Sequence, residues 1–322
     1  MIETRLTRAF GLRHPIILAP MAYVGGGRLA AAVSAAGGLG LIGGGYCVPD
    51  WIMTEFHNAG ETPVGCGFIT WRLAGVPGLL DDVLAREPRA IFLSFGDPAG
   101  PGAAVKAAGV PLICQVQTLE DSRAAVDAGA DVIVAQGAEA GGHGDSRATL
   151  TLVPEVADWL AVHAPEVLLC AAGGIADGRG LAAALMLGAD GVVCGTRFWA
   201  ATEALAPKGH HAVGLVATGD DTVHTKVVDI VRAFDWPERF QNRVLQTAFT
   251  AKWQGKNAEL AQDQAAHSAW LAAIQSGDTS IASATVGEGI GLIHQVKPAS
   301  EIMTDMTHQA EALLGGGWRR ES

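Results

Sequence analysis

The sequence predicts an α/β chain folded as a (β/α)8 TIM barrel with a C-terminal helical extension. Three observations predict it. Eight short runs of Val, Ile, Leu and Gly are spread between Pro15 and about Ala206, longer Ala-rich segments with helical spacing separate them, and glycines punctuate the run ends. Strands covered by helices on both faces read as continuous apolar runs rather than alternating ones, because neither face meets water.

The elements follow in order. Pro15 to Ala22 is the first run, and Arg28 to Ala36 the helix after it, stopped by Gly37-Gly38 where a left-handed cap favours glycine. Leu39 to Gly44, Val64 to Ile69, Ala90 to Phe95, Leu112 to Gln117, Val132 to Gln136, Val167 to Ala172 and Gly191 to Cys194 are runs two to eight. A doubly wound open sheet is the competing architecture. Its first strand would run into a Gly-x-Gly-x-x-Gly turn, and Pro20-Met21-Ala22-Tyr23-Val24-Gly25 is not one. After Ala206 the texture changes. Phe240, Val244, Leu245, Phe249 and Trp253 recur at three- and four-residue spacings, which predicts helix across Arg239 to Ala273. The expected organisation is a barrel over residues 1–206 with part of the tail, and a helical extension or lid over 207–322 that packs on it.

Composition narrows the function. Among 322 residues there are 22 Lys and Arg against 33 Asp and Glu, a net charge of −11, with 49% hydrophobic residues and 42 glycines. The apolar content excludes disorder, and glycines without a three-residue period exclude collagen. Cations diluted among more anions, with no basic run, argue against a nucleic-acid partner. Glu3 and the lack of an early apolar core argue against a signal peptide, and no apolar stretch reaches the ~20 residues of a membrane span. Cys47, Cys66, Cys114, Cys170 and Cys194 form no Cys-x-x-Cys pair and sit in or at the ends of apolar runs, which suits buried thiols better than a metal or redox role. The expectation is a cytoplasmic protein.

In such a barrel the chemistry collects at the C-terminal ends of the strands. Those ends are Pro20-Met21-Ala22, Gly43-Gly44-Gly45, Gly67-Phe68, Gln115-Val116-Gln117, Gln136-Gly137, Gly173-Gly174 and Gly195-Thr196. Rich in Gly and Gln and poor in carboxylates, they suit a flat, anionic ligand that the backbone approaches closely. The glycines after runs seven and eight, each opening a helix, form a phosphate cradle in which amides bind the anion without a Lys, and Thr196 adds a hydroxyl; the plainer reading is tight turns alone. Ala135 to Asp145 places His143 among glycines after run six, open to the mouth and clear of bulky neighbours. Imidazole there, near its usual pKa of about 6.5, can take a proton from carbon, although a loop histidine is often merely a surface residue. Asp177 reads as a helix N-cap, with acid–base chemistry the alternative, and Glu139 either orients the His143 loop or is solvated.

These residues carry a family resemblance. The segments Pro15 to Ala22, Ala135 to His143, Ala171 to Gly180 and Gly195 to Phe198 occur in the same order in the nitronate monooxygenases, formerly 2-nitropropane dioxygenases, and the chain resembles them from about residue 5 to 205. Arg232 to Arg239 and Gly289 to Ile293 resemble tail segments of that family. The resemblance implies an FMN-dependent oxidoreductase that oxidises alkyl nitronates with O2 to a carbonyl compound and nitrite. The cofactor-binding set it implies is Ala19, Pro20, Met21, Ala22, Gly67, Gln115, Gln136, Gly141, Gly142, Gly173, Gly174, Val193, Cys194, Gly195 and Thr196. His143 would accept a proton from a neutral nitroalkane or hydrogen-bond a nitronate; no metal is implied. Two positions depart from the family pattern: Gly67 stands where many members have Asn, and Gln115 where some have Lys. The alternative function is an NAD(P)H-dependent flavin reductase acting on quinones or enoyl thioesters, and a flavin-binding protein with little turnover is the non-enzymatic reading. The oligomeric state stays open; a homodimer through the Trp-bearing tail (Trp236, Trp253, Trp270) is one arrangement.

Overall fold

The computed structural model describes residues 2–317. Eleven strands are present among them: β1 (Ile16–Leu18), β2 (Leu41–Gly45), β3 (Gly65–Ile69), β4 (Ile91–Ser94), β5 (Leu112–Val116), β6 (Val132–Gln136), β7 (Gly142–Gly144), β8 (Leu168–Ala172), β9 (Gly191–Cys194), β10 (Thr222–Thr225) and β11 (Gln241–Leu245). Eight of them, all parallel, pair in the order β1-β9-β8-β6-β5-β4-β3-β2, and a parallel bridge from Ile17 to Leu39 joins the two ends. This is the TIM-type barrel that the eight apolar runs predict, and each barrel strand falls on one of them.

Alternation along the strands divides the core into two layers. Ile17, Leu41, Phe92, Ile113, Val134, Cys170 and Val193 fill the interior, and Leu6 and Phe10 of the helix Arg5–Phe10 join that interior cluster. Residues one position along, such as Leu18, Ile42, Leu93, Cys114, Ile133, Leu169 and Cys194, face the surrounding helices. All five cysteines are buried free thiols in these layers and at Cys47.

The last strand does not lead straight into its helix. A four-residue helix, Thr196–Trp199, follows β9, and residues 200–298 then make a long excursion. The chain returns in the helix Ala299–Ala312, whose buried Ile302, Met303, Met306 and Ala310 recur at helical spacing and pack on Gly178–Met186 and Gly27–Ala35. Gly178 allows the close approach, since a Cβ there would lie 2.4 Å from the carbonyl oxygen of Met306. That helix therefore stands between the helices that follow β8 and β1 and completes the ring.

The excursion corrects one expectation. Helix across Arg239 to Ala273 holds for Ala248–Trp253, Asn257–Gln262 and Gln264–Ser276, but Gln241–Leu245 is strand β11. It pairs antiparallel with β10 on one side and β7 on the other. The helical spacing of Phe240, Val244 and Leu245 is real, yet the two ladders satisfy the backbone of this segment, so pairing overrides periodicity. No helix among the described residues is long and apolar enough to cross a membrane.

Candidate active site

The glycine loops close around one another at the C-terminal mouth. Gly173 and Gly174 follow β8 with φ of 104° and 71°, values that glycine adopts without strain. A Cβ on Gly173 would lie 2.8 Å from the Gly137 carbonyl oxygen and 2.8 Å from Thr149 Oγ1. Glu139 accepts from the amide (3.1 Å) and hydroxyl (2.8 Å) of Thr149, so it ties the loop after β6 to the helix Thr149–His163 and is not merely solvated. Asp177 caps Gly178–Met186 by accepting from the Arg179 amide at 2.9 Å, the N-cap role its place in the sequence suggests.

Gly195 and Thr196 follow β9 beside the first turn, and a Cβ on Gly195 would sit 3.5 Å from Ala19 Cβ and 3.7 Å from Met21 Sδ. That turn, Ala19-Pro20-Met21-Ala22, packs on the end of β2, where Gly43 and Gly45 make room for Met21 and Ala22. Thr196 Oγ1 accepts from the Gly287 amide (2.9 Å), and a Cβ on Gly141 would meet that same nitrogen at 2.4 Å. Residue 287 thus joins the loops after β6 and β9, a contact that sequence spacing does not reveal. Gly142 has φ of 82° and starts β7. At Gly67 a Cβ would lie 2.4 Å from the Pro20 ring, so any larger residue must displace Pro20. Val193 points into the barrel, whereas Cys194 faces the helix layer with its thiol pushed up to about 12 by burial; only its backbone is available to the mouth.

Three glutamines form a relay. Gln115 and Gln117 both donate to Gln136 Oε1 (3.1 and 2.8 Å), and Gln136 Nε2 donates to the His143 carbonyl (3.1 Å). Gln117 is buried; the sequence places it at the end of run five but gives it no role of its own.

His143 differs from the open loop residue expected. It lies in β7 and is 8% exposed, with its ring stacked on Trp236 at 3.4 Å between centroids and 8° between planes, and Phe95 edge-on at 6.2 Å. Its Nε2 meets both carboxylate oxygens of Asp229 at 2.9 Å. Burial lowers its pKa below the ordinary 6.5 and outweighs Asp229, which pulls upward; the nearby Arg232 cation pushes further down. The imidazole is therefore neutral at pH 7. Facing a carboxylate, Nε2 carries the proton, and Nδ1, which bonds to no described residue, holds the lone pair. The tail supplies both partners: Asp229 from the helix Val227–Val231, and Trp236 from an aromatic group with Tyr46, Trp71, Phe95 and Phe240. A sequence signal for Asp229 exists, an acid inside the apolar run Val227 to Val231, where carboxylates are rare unless paired.

Comparison with known proteins agrees with this architecture. A family model described as Nitronate monooxygenase matches residues 3–65 and 72–309. A nitronate monooxygenase of Neurospora crassa is 35% identical, covering 93% of this chain and 90% of its own. An octahydroindene-carboxyl-CoA dehydrogenase of Rhodococcus jostii is 34% identical over 71% of this chain and 64% of its own. The solved structure of FabK from Thermotoga maritima superimposes with a TM-score of 0.84 at 31% identity, covering 99% of this chain and 100% of that one. The chain belongs to the nitronate monooxygenase family of oxidoreductases.

Proposed function

We propose that the protein binds FMN at the barrel mouth and oxidises alkyl nitronates, or the nitroalkanes that give rise to them, with O2 to a carbonyl compound and nitrite. The observation that carries this reading is the buried pair of His143 and Asp229 beside Trp236. The residues present fit an FMN. The loops at Gly173, Gly174 and Gly195 offer backbone without side chains, suited to a phosphate, with Thr196 beside them. Ala19, Gly67 and Ala172 keep the top of the interior small, and the Gln115–Gln136 amides offer polar contacts to a ring edge. Met21 and Ala22 complete the wall after β1, Gly141 and Gly142 the wall after β6.

When bound, the flavin supplies the electron acceptor and the route to O2. The chain supplies the rest. A neutral nitroalkane must first lose a proton from carbon, and His143 Nδ1 takes it, since Nε2 is committed to Asp229. The carboxylate fixes that tautomer and stabilises the imidazolium that forms. The aromatic group around Trp236 keeps water from the ring and provides an apolar wall for an alkyl chain. An already ionised nitronate needs no proton removal, so His143 serves it only as a hydrogen-bond partner.

The test is aerobic turnover of an alkyl nitronate, with O2 uptake and nitrite release measured together. Nitrite in step with O2 uptake is the expected result. Similarity to the CoA-thioester dehydrogenase favours a second reading, NAD(P)H-dependent reduction of quinones or enoyl thioesters. Rapid NADH oxidation with such acceptors and no nitrite would establish it instead.

A further inference from the structure

Behind the glycine loops, between the segment 288–297 and the helix Ala299–Ala312, lies a cavity of about 200 Å³. Asp177, Arg197, His294, Lys297, Asp305 and Gln309 are among its lining residues. Arg197 is 8% exposed and pairs with no carboxylate among the described residues. Its Nη2 donates to the carbonyls of Ala200 (3.3 Å) and Gln295 (2.9 Å); among the described residues neither Nη1 nor Nε has a partner, and Nε is closed off from solvent, which leaves Nη1 as the free donor. The two carboxylates of the cavity are already engaged: Asp305 with Lys297 at 2.6 Å and Asp177 with Arg179 at 2.5 Å. Asp305 attracts Arg197 but is bonded to Lys297, so three cations share two carboxylates and one positive charge is left over. Burying a guanidinium that bonds to no carboxylate is costly, and a counter-ion relieves that cost. Gln309 accepts from the Gly178 amide at 2.8 Å, which fixes its oxygen and leaves its NH2 as a second donor. The space exceeds the ~30 Å³ share of a single water several-fold, enough for a small anion with its shell.

We infer that this cavity is a binding site for a small tetrahedral oxyanion of phosphate or sulfate type, held by Arg197 with Gln309 and His294. It is separate from the cofactor cradle and does not rest on the proposed nitronate chemistry. It does share a short segment with that cradle, because Arg197 directly follows Gly195 and Thr196, and Asp177 follows Gly173 and Gly174 by three residues.

Isothermal titration of the purified protein with sulfate, and separately with inorganic phosphate, in chloride-only buffer tests the assignment. It is run on FMN-saturated and on FMN-stripped protein. One saturable oxyanion per chain is expected in the FMN-saturated protein, and the same site persists in the stripped protein beside any binding in the emptied cradle. Arg197→Gln should weaken binding at least tenfold with an unchanged far-UV circular dichroism spectrum. His294→Ala, on the exposed rim, should weaken it two- to fivefold and stands in if the arginine variant does not fold. Absence of saturable binding in the unmutated protein overturns the assignment. So does binding that vanishes when FMN is added, which would put the anion in the cofactor cradle, or binding that neither variant alters.

Discussion

Replacing Asp229 by Asn removes one charge and almost no volume, so it isolates what the carboxylate does for His143. The carboxylate sits 2.9 Å from Nε2 by both oxygens, and the two side chains are 4% and 7% exposed. A hydrogen bond to a charged group exceeds a neutral one by about 1–2 kcal/mol, which sets the lower limit of the loss. Two unit charges about 4 Å apart at an effective dielectric of about 20 interact by about 4 kcal/mol, which sets the upper limit. In the transition state for proton removal the imidazole becomes cationic, so the variant should lose about 10- to 1,000-fold in kcat/KM on a neutral nitroalkane. On the pre-ionised nitronate the loss should stay within about threefold, because no cation forms. The acid limb of the pH profile should move to lower pH, since the partner that raises the His143 pKa is gone while burial remains. Stopped-flow and steady-state rates on the matched nitroalkane and nitronate pair measure this. Equal losses on both substrates, or an acid limb that moves up, would refute the assignment of Asp229 as the group supporting His143.

Three other expectations follow from the same geometry. Trp236→Leu removes the ring stacked on His143 and should cost about 2–4 kcal/mol in urea unfolding, while hydration of the imidazole moves the acid limb up towards 6.5; an unmoved limb would mean that Trp236 does not keep the ring dry. Gly173→Ala forces a side chain into φ of 104° and to 2.8 Å from the Gly137 carbonyl, so FMN affinity should fall about tenfold by fluorescence titration, and undiminished affinity would remove this loop from the cradle. Burial lowers the folded-state pKa values of His143, His14, His210 and His224, so the unfolded chain takes up protons first; the stability they confer is complete above 6.5 and is lost as pH falls below it, and a urea midpoint that rises between pH 7 and 5.5 would contradict the sign.

The barrel was legible because its cause is local. Strands such as Leu168–Ala172 and Gly191–Cys194 are apolar throughout since helices cover one face and the packed interior the other, and that shows in any window of five residues. The glycines at 173, 174 and 195 were legible because strand ends in a barrel converge on one mouth. His143 was found, but its surroundings were not. Asp229 is 86 residues away along the chain, and it meets the imidazole only because β11 pairs with β7 and brings the excursion back over the mouth. A five-residue strand flanked by helices, with Val244 and Leu245 both buried, lacks the clean alternation that would mark it, so the helical reading of Arg239 to Ala273 was the natural one. The role of residue 287 was hidden for the same reason, since its contact with Thr196 exists only in the folded chain.

The most direct test of the central claim is the anaerobic visible spectrum of the FMN-loaded protein before and after one equivalent of an alkyl nitronate. Reduction of the flavin band within the mixing time, reversed with nitrite release on admitting air, is the result predicted. A band that stays oxidised with nitronate and bleaches at once with NADH would contradict it and assign the barrel mouth to a reductase.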